Sequence, residues 1–217
     1  MPTDRSRPAP TGFTRRHLIT SAAIGASMSI GGHSARAQAP AVRFDFSKPL
    51  DGWTTVSGKW ALEEIAGASQ GGRALVQRAT ANDFNVVVAP GGPYDNVEVS
   101  VRFKPISGRE DASAGIVFRF SEGRYYVIRA NALEDNFNFY YYDRGRRQIA
   151  GAGVKAPALG EWHSLRIAAA GDRIRGWLGD QMLIDRSDGR FASGRIGLWT
   201  KADSITAFDD LIVTPLK

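Results

Sequence analysis

The chain contains no cysteine. That excludes disulfides, thiolate zinc sites and cysteine nucleophiles together. Histidine is nearly absent too: of three, only His163 lies beyond residue 37. Histidine metal clusters are therefore excluded, and a Ser–His–acid triad would have to be built on a residue at the start of an expected strand. No long segment has a helical period, no phosphate-cradling glycine loop follows a strand, and no basic run forms a nucleic-acid footprint. The formal charge of +6 is misleading on this last point. Five of the 28 basic residues and one of the 22 acidic ones fall in residues 1–37, leaving 23 against 21. Arg144, Arg146 and Arg147 are the densest remaining basic group and read as a turn. No nucleic-acid partner is expected.

The composition that is present suits a β domain. Hydrophobic residues make up 43%, enough for a core in 217 residues, and 24 Gly and 10 Pro separate short runs of β-formers. Asn96–Lys104 alternates strictly, placing Val97, Val99, Val101 and Phe103 on one face and Glu98, Ser100, Arg102 and Lys104 on the other. Gly115–Phe120 repeats the scheme. Arg124–Asn131, Asn136–Asp143, Trp162–Ala168, Arg173–Leu178 and Gly194–Trp199 read as further strands. Phe84–Ala89 is a solid apolar run, expected for a central or doubly covered strand. Gly179-Asp180 reads as the two-residue turn of a hairpin. Asp203–Thr206 reads as a loop or short turn. The expected fold is all-β, a two-sheet antiparallel jelly-roll sandwich over residues 42–217.

The N-terminal segment has a different logic. Thr14-Arg15-Arg16-His17-Leu18-Ile19 resembles the twin-arginine export motif. A weakly apolar stretch to Ile30 and the small-x-small triplet Ala35-Arg36-Ala37 follow, in the order charged, apolar, small. Residues 1–37 read as a signal peptide and 38–41 as a short linker. The resemblance implies a twin-arginine translocase as partner during export, only transient membrane contact, and a periplasmic or secreted destination.

Several motifs recur in a recognisable order: Phe44-Asp45-Phe46, Leu50-Asp51-Gly52-Trp53, Gly58-Lys59-Trp60, Asn96–Phe103, Ala114–Arg119, Gly160–Ile167, Gly194–Trp199 and Ala207–Leu211. This order resembles the concanavalin A-like, laminin-G-like jelly rolls, and within them the bacterial 3-keto-disaccharide hydrolase domains, over about residues 42–215. The resemblance implies a carbohydrate ligand, with hydrolysis of modified (3-keto) glycosides as the expected activity. A non-catalytic sugar-binding module and a protein-interaction sandwich remain alternatives. Trp53, Trp60 and Trp162 read as core anchors.

Chemistry-bearing residues are sparse. Glycoside hydrolysis ordinarily uses two carboxylates flanking the bond, and the Glu-x-Asp-x-x-Glu strand motif of related laminarinase-type jelly rolls is absent. Adjacent acidic pairs in a strand point to opposite faces. Glu134-Asp135, between two strands, is the best catalytic candidate, against a solvated loop pair. A keto-sugar can also cleave by elimination, which needs only a base and a polarising group. The candidate ligand residues are Arg102 and Arg119, opposite the apolar faces of their strands, with Arg129, Asn131, Asn138 and Tyr140, and Trp199 and Lys201 from a neighbouring strand. Arg, Asn and Tyr suit sugar hydroxyls and the apolar sugar face; a solvated outer face is the alternative. No cofactor is required. Asp45 and Asp209, near the two domain ends, are candidates for a structural calcium, against simple capping.

Overall fold

A computed structural model describes residues 40–217. The expected signal peptide at 1–37 and the first half of the expected 38–41 linker therefore lie outside the described residues. Fifteen strands follow in chain order: β1 (Val42–Phe44), β2 (Thr54–Thr55), β3 (Trp60–Glu64), β4 (Arg73–Gln77), β5 (Phe84–Val88), β6 (Val97–Ser107), β7 (Ser113–Ser121), β8 (Arg124–Asn131), β9 (Asn136–Tyr142), β10 (Arg146–Gly153), β11 (His163–Ala170), β12 (Arg173–Leu178), β13 (Gln181–Ser187), β14 (Arg195–Lys201) and β15 (Ile205–Pro215). One sheet runs β13-β12-β11-β6-β15-β4-β3, with β1 also on β15; the other runs β10-β9-β8-β7-β14-β5-β2. We call them sheet A and sheet B. All pairings are antiparallel. The expected two-sheet jelly roll is the fold observed.

Period-two alternation explains the interior. Val97, Val99, Val101 and Phe103 of β6, Leu165 and Ile167 of β11, and Phe208 and Val213 of β15 face Ile116 and Phe118 of β7, Tyr126 and Ile128 of β8, Phe137 and Phe139 of β9, and Leu198 of β14. These side chains are buried almost completely. At roughly 1.5–3 kcal/mol for each large apolar side chain removed from water, this layer dominates the favourable energy of the fold. Trp53 and Trp60 pack against it as half-buried neighbours. Trp162 packs instead on a small cluster of Ala74, Val76 and Ala207, which sit on the outer face of sheet A.

Two irregularities steer the chain. β15 pairs with β4 through Thr206–Phe208 and with β1 through Leu211–Val213, while β6 runs along its other edge. The change of partner falls at Asp209–Asp210, where the register shifts and Asp210 takes φ 55°. Arg43 of β1 pairs with Asp210 there. β15 also overturns one expectation. The segment read as a loop reaches only to Ser204; Ile205 and Thr206 already belong to an eleven-residue strand. Likewise Arg146 and Arg147, read as part of a turn, open β10.

Candidate functional site

The outer face of sheet B carries the concentration of aromatic and hydrogen-bonding side chains. Register builds it row by row. Asn138 of β9 lies opposite Arg129 of β8, Arg129 opposite Gly115 of β7, Gly115 opposite Trp199 of β14, and Trp199 opposite Val86 of β5. The next row is Tyr140, Val127, Val117, Gly197 and Val88. Gly115 leaves room in the middle of the first row. A Cβ there would come within 2.9 Å of a Val127 methyl and 3.2 Å of the Arg129 Cβ.

This face is concave. β5 and β9 are four inter-strand steps apart, about 19 Å in a flat sheet. Yet Phe84 of β5 meets Tyr142 of β9 at 5.6 Å between ring centroids. Side chains from the two flanks can touch only if the sheet curls toward them. Phe84 also stacks on Trp199 at 5.6 Å, and Tyr142 stacks on Tyr125 at 5.2 Å, nearly parallel. The Arg146 guanidinium lies 4.7 Å from the Tyr140 ring centre and 5.3 Å from that of Phe84. Val86, Val88, Val117 and Val127 complete the apolar floor.

A polar network occupies the end of the groove near the β8–β9 turn. Arg129, almost wholly buried, donates to Asn136 Oδ1 at 2.7 Å, to Glu134 at 3.0 Å and to the Tyr140 hydroxyl at 3.4 Å. Asn136 donates to Glu134 at 3.0 Å, Asn138 donates to Asn136, and Gln148 donates to Asn138. Partial burial pushes the Glu134 carboxyl up. The Asn136 hydrogen bond and the charge and hydrogen bond of Arg129 outweigh it, so the net displacement is below the usual carboxylate range. Glu134 is thus held as an anion with an exposed edge. Alongside, the buried Asp111 accepts from Lys201 Nζ at 3.2 Å and from Ser204. Asn131 is fully buried; its carbonyl oxygen accepts the Ala112 and Leu133 amides, while its Nδ2 has no partner.

The family model for the 3-keto-alpha-glucoside-1,2-lyase-like domain matches residues 42–214. The chain belongs to that family. A levanase of Bacillus subtilis (strain 168) is 28% identical over 158 residues, covering 70% of this chain and 21% of the levanase. The chain therefore spans about a fifth of that relative's length. Among solved structures, a carbohydrate binding module of Bacillus subtilis, CBM66, superimposes with a TM-score of 0.64 at 22% identity, covering 75% of this chain and 95% of the module. A beta-glucanase of Bacillus licheniformis superimposes at 0.54 and 13% identity, covering 83% and 100%. At these identities the structural likenesses establish the fold.

Within this lyase-like domain, the structure brings together on one face six of the eight residues named as ligand candidates: Arg129, Asn131, Asn138, Tyr140, Trp199 and Lys201. Arg102 and Arg119 do not join them. Arg102 projects from the other sheet, bonded to Asp209 at 2.9 Å and to the Gly67 carbonyl, with its guanidinium 4.6 Å from the Trp162 ring centre. Arg119 falls at a bulge in β7 with φ 53°, which breaks the alternation. Its buried guanidinium donates to the carbonyls of Phe191, Asp95 and Gly171. The acidic pair separates. Glu134 turns to the groove, whereas exposed Asp135 accepts the Ala156 amide at 3.0 Å and so caps the segment after β10. His163 contacts the Ala158 carbonyl at 2.9 Å.

The two calcium candidates are both engaged by donors of the protein itself. Asp209 is buried with both oxygens engaged, by the Ser69 amide and hydroxyl and by Arg102. Asp45 accepts from the Ser47 amide and hydroxyl in a local turn. No group of three or more His, Asp or Glu side chains among the described residues could hold a metal.

Phe84, Arg146 and Asp111 belong to the groove but were absent from the sequence-level candidates. The solid apolar run at Phe84–Ala89 carried the signal for the first. Val87 and Ala89 enter the core while Phe84, Val86 and Val88 line the groove, so both faces of this strand are apolar.

Proposed function

We propose that this chain is an exported domain that recognises a sugar on the concave face of sheet B, and that recognition, not two-carboxylate hydrolysis, is its principal role. The carrying observation is the network Arg129–Glu134–Asn136–Asn138–Tyr140 set beside the ring floor of Trp199, Phe84 and Tyr142. Fixed donors and acceptors match sugar hydroxyls, and rings match the C–H face of a pyranose. The fold shared with a carbohydrate binding module and the stretch shared with a levanase support the same direction. Export by the twin-arginine route to the periplasm or beyond is part of this reading and rests on Arg15, Arg16 and the Ala35-Arg36-Ala37 triplet.

The carboxylates argue against ordinary glycoside hydrolysis. Glu134 is held ionised, which disfavours it as a general acid. Asp111 is buried in an ion pair with Lys201. One observation favours a second reading, elimination from a 3-keto glycoside. An ionised carboxylate beside an arginine is the base and polarising group needed to take a proton next to a ketone. In that step the Glu134 carboxylate would accept the α-proton while the C–O bond to the leaving group breaks, and the departing alkoxide would take that proton back from the Glu134 carboxyl or from water, giving an enone, an alcohol and the regenerated carboxylate.

One experiment addresses both readings. Calorimetry with a disaccharide panel, including 3-keto forms, should detect binding that weakens about tenfold or more in Asn138→Ala and Glu134→Ala, from the loss of hydrogen bonds to the ligand and of their support. Chromatography of the same mixtures should show intact sugar. Cleavage of a 3-keto glycoside that is abolished in Glu134→Gln, with affinity retained, would replace recognition by elimination. A glycan array with no bound sugar would remove both and favour protein interaction.

A further inference from the structure

Resting on the sugar-binding reading, we propose that the ligand of the concave face carries a carboxylate, as a uronic acid does, and that Arg146 is the residue that selects it. Three cations reach this groove. Arg129 is committed to Glu134 and Lys201 to Asp111. The Arg146 guanidinium forms no hydrogen bond or ion pair among the described residues. It is held by rings from the two flanks, Tyr140 of β9 and Phe84 of β5. Contact with two ring faces fixes the position of the planar group while leaving its N–H fork free. That fork matches a carboxylate in two parallel hydrogen bonds.

The surroundings make the same case. Arg129 lies 5.8 Å from the centre of the Tyr140 ring that Arg146 also covers, so two positive groups flank one ring. Nearby carboxylates leave the fork open: Asp83 accepts the Phe84 amide at 2.7 Å, and Asp143 lies 3.6 Å from Arg144. Arg146, Phe84 and Tyr142 are half-buried and reachable from solvent. A sugar ring stacked against this rim would place an exocyclic C6 carboxylate, and not a C6 hydroxymethyl, to full advantage.

The test is calorimetry on the full chain with disaccharides ending in glucuronate or galacturonate and with their neutral counterparts, at low and at raised salt. The expected result is a preference of about tenfold or more for the uronate, weakened by salt. Arg146→Gln should collapse that preference toward unity, and Arg146→Lys, which keeps the charge but lacks the fork, should retain part of it. Equal affinity for the charged and neutral sugars, or a preference that survives Arg146→Gln, would overturn the assignment while leaving sugar recognition standing. Absence of binding to every sugar would overturn both.

Discussion

Asp209 shows how a single side chain can be committed to structure. It is fully buried and gathers the Ser69 amide, the Ser69 hydroxyl and the Arg102 guanidinium. Removing it leaves a partly buried amide and a partly buried cation without their acceptor. Asp209→Ala should destabilise the domain by about 2–3 kcal/mol, read from the midpoint of urea unfolding. Glu134 is a different case, because its side chain is 43% exposed. Its folded value lies below the ordinary 4.5. Its contribution is therefore complete above the ordinary value and is lost as pH falls through the lowered one. Stability measured from pH 6 to pH 3 should fall less steeply in Glu134→Gln than in the parent. The difference should be small, since solvent screens the pair.

At the scale of elements, the groove depends on a small residue in the middle of β7. Gly115→Ala would drive a methyl against Val127 and Arg129. An expected cost of about 1–3 kcal/mol in thermal unfolding should come with weaker sugar binding, because the displaced residue is Arg129. Elements also explain what the sequence made legible. Alternation put Arg129 with Asn131 on one strand face and Asn138 with Tyr140 on another, and register then placed these beside Trp199 in adjacent rows. Alternation failed at Arg119, where one extra residue in β7 reversed the side on which the side chain emerges. It could not place Arg102, because β6 and β7 are consecutive in sequence but lie in opposite sheets. Strand partners are long-range facts, and no local pattern carries them. Arg146 was missed for a related reason: its neighbours in the groove come from β5 and β9, the former more than sixty residues earlier.

For the whole molecule, the absence of cysteine agrees physically with the twin-arginine export proposed above. A domain that needs no disulfide can complete its core before leaving a reducing compartment. Replacing Arg15 and Arg16 together by Lys should hold the precursor in the cytoplasm, whereas the parent should yield a periplasmic species beginning at Gln38. Mass spectrometry of the two cell fractions distinguishes these outcomes.

The position of β15 has a further consequence, for the order of events at birth. This strand is the last of the sandwich to be synthesised, yet it lies between β6 and β4 and also holds β1, which is made some 170 residues earlier. Until it emerges, β6 and β4 face each other across an empty lane. A ribosome-bound chain halted before Ile205 should therefore remain open to proteases however long it waits, and should close only once synthesis resumes and β15 emerges.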